Sequence, residues 1–506
     1  MILRTEGSIN RYYVQTLCMV FFPGATFSDD EMPGYDVPEV SVSVCKEEDG
    51  SDTAFVCMKL NDRVCEATAT VSKDEQICIS EHSAIAIGRA IFAAGKELLG
   101  HIPPWGILTG VRPAKIAGKL LSDGNGILKT KKILRDEYFL NHQKAALAVS
   151  VATNESKLLR RMDKNTCSLY ISIPFCPSRC SYCSFVSYTT PRLLSMIDDY
   201  LNALISEIDE KFEVINALGF RVTTVYIGGG TPTTLSADQL RRLLSALREH
   251  VNTDELLEFT LEAGRPDTIT AEKLAVAKEF GVTRVSVNPQ TLNDDILREI
   301  GRRHTKDDFY NAYRLAVESG IRDINVDLIA GLPGDDFRNF SETLDRIIEL
   351  RPTNITVHTF CVKKASDVLR NNSGIYSLSG GDAAKSVSYS QLNTKFAGYK
   401  PYYMYRQKNT VGNLENVGFS LEGHEGLYNV YMMEEVQTIF AVGAGAVSKL
   451  VSYNGGKGEK SRIKRISNPK YPYEYLDASR SASESPNAGS QKLLLTALEF
   501  FDQVEE

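Results

Sequence analysis

Six short apolar runs between residues 168 and 360, separated by helix-length amphipathic stretches, constrain this 506-residue chain more than any other feature. They fall at 168–174, 222–227, 256–262, 283–288, 322–329 and 353–360. The stretch after the first run has a helical period, with Ile197, Leu201, Leu204, Ile205, Ile208 and Phe212 on one face. Ser236 and Thr270 stand where N-caps of two later helices belong. Strands and helices in alternation imply a parallel sheet with right-handed crossovers. Six units are fewer than the eight that close a barrel, so the expected core is α/β, an open partial (βα)6 barrel.

In such barrels chemistry gathers at the C-terminal ends of the strands. The run Gly228-Gly229-Gly230-Thr231-Pro232-Thr233 follows the second strand. Glu262 ends the third, Asn288, Pro289 and Gln290 end the fourth, and Asp327 lies near the end of the fifth, before Gly331. A core-only role does not explain polar residues and glycines at one end of successive strands. The glycine run lacks the spacing of a phosphate loop or a dinucleotide fingerprint, but it lets a ligand approach the backbone.

After the first strand come Cys176, Cys180 and Cys183, spaced C-x3-C-x2-C. A cubane iron–sulfur cluster has one ligand per iron, so three cysteines leave one iron open. A structural zinc site needs a fourth ligand. Cys167 is the only nearby cysteine, before the strand that leads into the loop, and no histidine falls between His142 and His250. A redox pair at Cys180 and Cys183 leaves Cys176 unexplained. The spacing favours a 4Fe–4S cluster with an open position.

The net charge of −7 argues against a general nucleic-acid binder. Ten cysteines are too sparse for a disulfide scaffold. No apolar run approaches the ~20 residues of a membrane span, and Leu17–Phe22 is too short for a secretory signal. A reducing cytoplasm is the expected location.

Length implies two or three domains. Residues 1–155 are expected as an α+β domain, with strand-like runs at Tyr12–Phe22 and Ala54–Leu60 and a helix from His82 to Leu99. Trp105, in a Pro/Gly-punctuated turn, is expected in its core. The barrel takes residues 156–375, and 376–506 form a C-terminal α+β region expected to cover the substrate. That region has a flexible Ser/Ala-rich linker near 478–491 and a last helix, Lys492–Phe501. Within it, Tyr399, Tyr402, Tyr403 and Tyr405 read equally as a flat apolar pocket, with Arg406 and Lys408 meeting carboxylates, or as a core strand with solvated cations.

With Tyr182 before its last cysteine, the loop resembles the signature of radical S-adenosylmethionine (SAM) enzymes. The string Tyr170–Phe185 resembles their oxygen-independent coproporphyrinogen III oxidase branch. The N-terminal domain and the string Y-Y-M-Y-R-Q-K-N-T-V-G-N-L-E-N-V-G are similar to its HemZ-type subgroup. The resemblance implies SAM chelating the open iron of a cluster on Cys176, Cys180 and Cys183. It implies SAM contacts at Tyr170, Tyr182, Gly229, Gly230, Thr231, Glu262, Gln290, Arg302 and Asp327, residues that serve two SAM molecules in that branch. It names no catalytic residue beyond cluster and SAM. A structural ion pair is the alternative, less favoured reading for Arg302 and Asp327.

The implied activity is reductive cleavage of SAM, hydrogen abstraction from propionate side chains, and conversion of coproporphyrinogen III to protoporphyrinogen IX in haem biosynthesis. The implied partners are a porphyrinogen or haem-like tetrapyrrole and an electron donor such as flavodoxin or ferredoxin. Two departures bear on substrate: Ser172 replaces a histidine and Phe185 an additional cysteine. A sister branch of haem-binding chaperones shares the cysteine spacing and Phe185. A SAM-dependent enzyme that modifies haem anaerobically is a third reading.

Overall fold

The computed structural model describes residues 1–29, 37–75, 77, 81–160, 162–163, 165–183, 185, 187–361, 381–407, 410–452, 462–483 and 488–502. Its contacts divide the chain into two units. One comprises Met1–Ser156 with Asn371–Val387 and Met404–Asn416; the other comprises Lys157–Arg370, Ser388–Tyr403 and Val417–Glu506. The expected C-terminal region contributes Met404–Asn416 to the first unit and Ser388–Tyr403 and Val417–Glu506 to the second.

The first unit has a four-stranded sheet in the order β1 (Ile2–Glu6), β2 (Glu39–Lys46), β3 (Asp52–Leu60) and β4 (Arg63–Val71). The β1–β2 pair is parallel and the others antiparallel. Helix His82–Leu99 packs on β3 and β4. The strand-like reading of Tyr12–Phe22 is corrected: Arg11–Phe21 is a helix capped by Asn10, whose side chain accepts from the Tyr13 amide. Val14, Leu17, Cys18 and Phe21 are buried on one face. That helical spacing outweighs the strand propensity of its Val and aromatic residues. A Cβ on Gly95 would lie 2.7 Å from the Phe21 ring, so glycine lets the two helices approach.

The second sheet has eleven strands. They are β5 (Thr166–Ile173), β6 (Arg221–Gly229), β7 (Glu258–Leu261), β8 (Arg284–Ser286), β9 (Asp323–Ala330), β10 (Asn354–Thr359), β11 (Lys400–Arg406), β12 (Glu415–Ser420), β13 (Thr438–Val442), β14 (Val447–Ser452) and β15 (Arg462–Ser467). The order is β11-β12-β10-β9-β8-β7-β6-β5-β13-β14-β15. The six central strands β5 to β10 run parallel in chain order, as expected for a partial barrel. The sheet does not close: β13 adds a parallel strand beside β5, and β12 pairs antiparallel with β10.

Helices follow the strands with the expected chemistry. On helix Ile197–Ala217, Ile197, Leu201, Leu204, Ile208 and Phe212 are buried and Ile205 is half-buried. Ser236 and Thr270 are N-caps, Ser236 in a reciprocal capping box with Gln239. Helices Pro472–Ser483 and Ala488–Asp502 occupy most of the stretch expected as a linker. Among the described residues no helix is long and apolar enough to cross a membrane.

Candidate functional site

The cysteine loop leaves the buried end of β5 and is tied at its base. The Cys176 amide donates to the Tyr188 carbonyl at 3.1 Å, and the Tyr188 amide to Pro174 at 2.8 Å. The Ser181 amide reaches the Ile300 carbonyl at 3.0 Å, and the Cys183 amide turns back to Cys180 at 3.1 Å. Arg265, at the end of β7, braces the middle: it donates to Ser178 Oγ at 3.0 Å and to Cys180 Sγ at 3.7 Å while Asp267 holds it from behind. Cys176 and Cys180 are buried and Cys183 is half-buried. Burial pushes the Cys176 thiol up to about 11, and the nearby Cys183 and Cys180 add to the rise.

The glycine turn is wedged against this loop. The Gly230 amide donates to Ile173 and the Thr231 amide to Phe175, both at 2.8 Å. Thr231 Oγ1 is 3.3 Å from Cys176 Sγ. A Cβ on Gly230 would meet the Phe175 carbonyl at 2.6 Å and Cys176 Sγ at 3.0 Å; one on Gly228 would meet Glu262 Oε2 at 2.7 Å. Gly229 has φ +114°, which favours glycine. Side chains are excluded here because the thiol and the carboxylate occupy both flanks.

The remaining strand ends bring in the polar groups. Burial, then the charge of Asp327, pushes the Glu262 carboxyl up to about 8. Burial also works against Asp327, but hydrogen bonds led by His358 and Asn325 outweigh it and hold the group below its ordinary value. Its oxygens accept from Asn288 and Asn325, each at 2.8 Å, and lie 3.6 Å from His358 Nε2. Two neighbouring carboxyls are thus set apart, Asp327 ionised and Glu262 protonated at neutral pH.

After β8 the chain passes Pro289, which has no amide hydrogen, and pairs again with β9 at Gln290. The Gln290 amide donates to the Asp327 carbonyl at 3.1 Å, and its carbonyl accepts from Ile329 at 3.0 Å. Gln290 has φ +69°, unusual for a residue with a side chain, and its buried Oε1 has no partner. Arg302 is buried with its donors directed into the protein. They reach the Tyr182 hydroxyl at 2.9 Å, the Gly264 and Asn288 carbonyls at 2.7 and 2.8 Å, and His304 Nδ1 at 3.4 Å. Arg302 and Asp327 do not form the ion pair considered from sequence; Asn288 stands between them and bonds to both.

Tyr170 lies in an aromatic stack with Tyr226 and Tyr428, at centroid distances of 6.2 and 6.4 Å. A charge on Glu262 would raise the hydroxyls of all three. Arg265, Tyr226, Tyr428 and His358 escaped the sequence reading. Arg265 and His358 had a signal in their places at strand ends, and Tyr226 lies on the strand that leads into the glycine run; Tyr428 lies on helix Leu427–Glu434 with no motif. Ser172 Oγ donates to the Ala444 carbonyl at 2.9 Å, tying β5 to the Gly443–Ala446 turn.

The aromatic strand β11 resolves toward the core. Tyr399, Tyr402 and Tyr403 are buried, with the Tyr399 hydroxyl on the Pro352 carbonyl at 2.6 Å. These three therefore do not line the flat substrate pocket considered from sequence, and Tyr405 is half-buried. Arg406 is buried in the first unit, and Lys408 lies outside the described residues.

These donors fit an iron–sulfur cluster and SAM. Soft thiols share one loop, the glycine turn keeps side chains off the backbone beside Cys176, and Gln290 carries an unsatisfied buried oxygen. Among the described residues no three His, Cys, Asp or Glu side chains stand in metal-holding geometry.

Comparison with known proteins agrees with this chemistry. The radical SAM superfamily model matches residues 170–347. The chain is 39% identical over 375 residues to the oxygen-independent coproporphyrinogen-III oxidase-like protein HemZ of Bacillus subtilis, covering 73% of this chain and 74% of that protein. It is 37% identical over 201 residues to the heme chaperone HemW of Bacillus subtilis, covering 39% of this chain and 51% of the relative. Among solved structures, coproporphyrinogen III oxidase (HemN) from Escherichia coli shares the fold with a TM-score of 0.50 at 24% identity, over 65% of this chain and 72% of that one.

Proposed function

The chain belongs to the radical SAM superfamily, within the oxygen-independent coproporphyrinogen III oxidase-like HemZ group, and we propose that it oxidatively decarboxylates the propionates of coproporphyrinogen III to vinyl groups, giving protoporphyrinogen IX, each propionate losing carbon dioxide, one hydrogen atom to the adenosyl group of SAM and one electron to an external acceptor. The observation that carries this reading is the likeness to HemZ over 73% of the chain, well beyond the barrel. Cluster and SAM, when bound, supply hydrogen-atom abstraction from an unactivated carbon.

The protein's part is to hold, orient and shield. Cys176, Cys180 and Cys183 hold the cluster and leave one position for SAM. The backbone of Gly229, Gly230 and Thr231 receives the amino-acid end of SAM, and Glu262 takes its cationic group. Gln290 Oε1, Asp327 and Tyr170 meet polar and flat parts of one or two SAM molecules. Arg302 holds Tyr182, and through it the cysteine loop, in place. An electron donor such as flavodoxin or ferredoxin serves the cluster in the cytoplasm.

A second reading is a haem-binding chaperone. It is favoured by the HemW relatives and by Phe185, which is 70% exposed where the decarboxylating branch carries a cysteine. Anaerobic incubation of the reconstituted protein with SAM, dithionite and either coproporphyrinogen III or haem separates the two. Vinyl product supports decarboxylation. Stoichiometric haem binding without turnover supports the chaperone, and an alkylated or ring-opened haem would replace both.

A further inference from the structure

We propose that the first unit contains a binding site for a small carboxylate with an apolar body, in a cavity lined by Arg406. The cavity measures about 400 Å3, and its walls include Tyr12, Tyr13, Met19, Val20, Val111 and Arg406. Small-molecule sites commonly span roughly 300–1,000 Å3, with apolar walls and a few placed polar groups. Among the described residues, no Asp or Glu lines this cavity.

Arg406 gives the cavity its chemistry. The residue is 3% exposed. One terminal nitrogen donates to the Leu108 carbonyl at 2.5 Å and the other to Asn413 at 3.4 Å, and the guanidinium lies 5.5 Å from the Trp105 ring centre. Its Nε is buried with no partner. The nearest relevant carboxylate, Glu415, is already held by Lys144 at 2.5 Å and Trp105 Nε1 at 2.8 Å. Lys144 and Glu415 neutralise each other, so the group of three carries one uncompensated positive charge.

Glu415 faces two cations, Lys144 and Arg406, and an under-compensated buried charge is costly. Burial draws the Arg406 guanidinium down to about 10, so it is still charged at neutral pH. The wall also carries the first turn of helix Arg11–Phe21, whose amide end favours negative charge. A carboxylate in the cavity would balance the excess positive charge beside Arg406, while its apolar body meets the tyrosines.

The full-length chain is tested with 3-phenylpropionate and its uncharged counterpart 3-phenylpropan-1-ol, by isothermal titration and saturation-transfer NMR. The acid should bind roughly ten- to a hundredfold more tightly than the alcohol. Arg406→Gln should bring the acid to the alcohol's level. Because loss of a buried arginine can also prevent folding, Val111→Trp is the second variant. Its side chain is 51% exposed on the cavity wall, so the larger ring should block both ligands in a folded protein. Equal binding of acid and alcohol, acid binding unmoved by Val111→Trp, or no binding of either in the millimolar range would each overturn the proposal. Iron content and SAM cleavage measured on the same samples report separately on the decarboxylation reading.

Discussion

The Arg302 guanidinium donates to the Tyr182 hydroxyl at 2.9 Å, joining the cysteine loop to the segment beyond β8. The same guanidinium fills the Gly264 and Asn288 carbonyls, so one side chain fixes the loop against the ends of two strands. Arg302→Ala should therefore destabilise the protein by about 2–4 kcal/mol, because it leaves both carbonyls without their donor. Tyr182→Phe, which removes one charged hydrogen bond, should cost about 1.5–3 kcal/mol. Urea titrations beside wild type check both; unchanged midpoints would mean the loop is held elsewhere.

Protein purified without oxygen should carry about four irons per chain, as one cubane cluster requires. Cys176→Ala, Cys180→Ala and Cys183→Ala should each abolish that iron, whereas Cys167→Ala, buried within β5, should keep it. Loading must deprotonate thiols, and the Cys176 thiol stands at about 11, so reconstitution should speed up as pH rises from neutrality. Iron analysis and the visible spectrum measure both effects. Stoichiometric zinc in place of iron would reverse the assignment.

Gly230→Ala should remove the cluster while sparing the fold. The added methyl would stand 2.6 Å from the Phe175 carbonyl and 3.0 Å from Cys176 Sγ, so the cysteine loop must shift. Full iron content in the variant would show that the loop tolerates the displacement.

The Glu262 carboxyl, at about 8, stays protonated at neutral pH where an unfolded glutamate is ionised. The folded state then holds one more proton than the unfolded state between the ordinary glutamate range and about 8, so this residue makes stability fall as pH rises through that window. Glu262→Gln should flatten the fall. SAM affinity should move the opposite way, strengthening as pH rises through about 8 and the carboxylate becomes available to the ligand's cation. Glu262→Gln, measured above pH 8 where the wild-type carboxyl is ionised, and Asp327→Asn at neutral pH should each weaken SAM roughly ten- to a hundredfold while retaining iron. Undiminished SAM binding in a folded variant would end the assignment for that residue.

The alternating architecture and the polar residues at successive strand ends are legible in the chain alone. Apolar period and strand spacing are local, and so are the glycine run and the C-x3-C-x2-C loop, whose residues act within one turn of chain. The family's resemblance supplied Gln290, Arg302 and Asp327 as a set, but not how they relate. Packing alone shows that Asn288 intervenes between Arg302 and Asp327, and that Arg265 reaches Cys180 from beyond β7. It also decided that Glu262 and Asp327 titrate apart, since burial and neighbouring charge are properties of the packed site. The helix at Arg11–Phe21 and the core placement of Tyr399, Tyr402 and Tyr403 were settled the same way. Aromatic and β-branched residues suit a strand, a helix face or a pocket wall equally, and the choice rests on which surfaces fold against them.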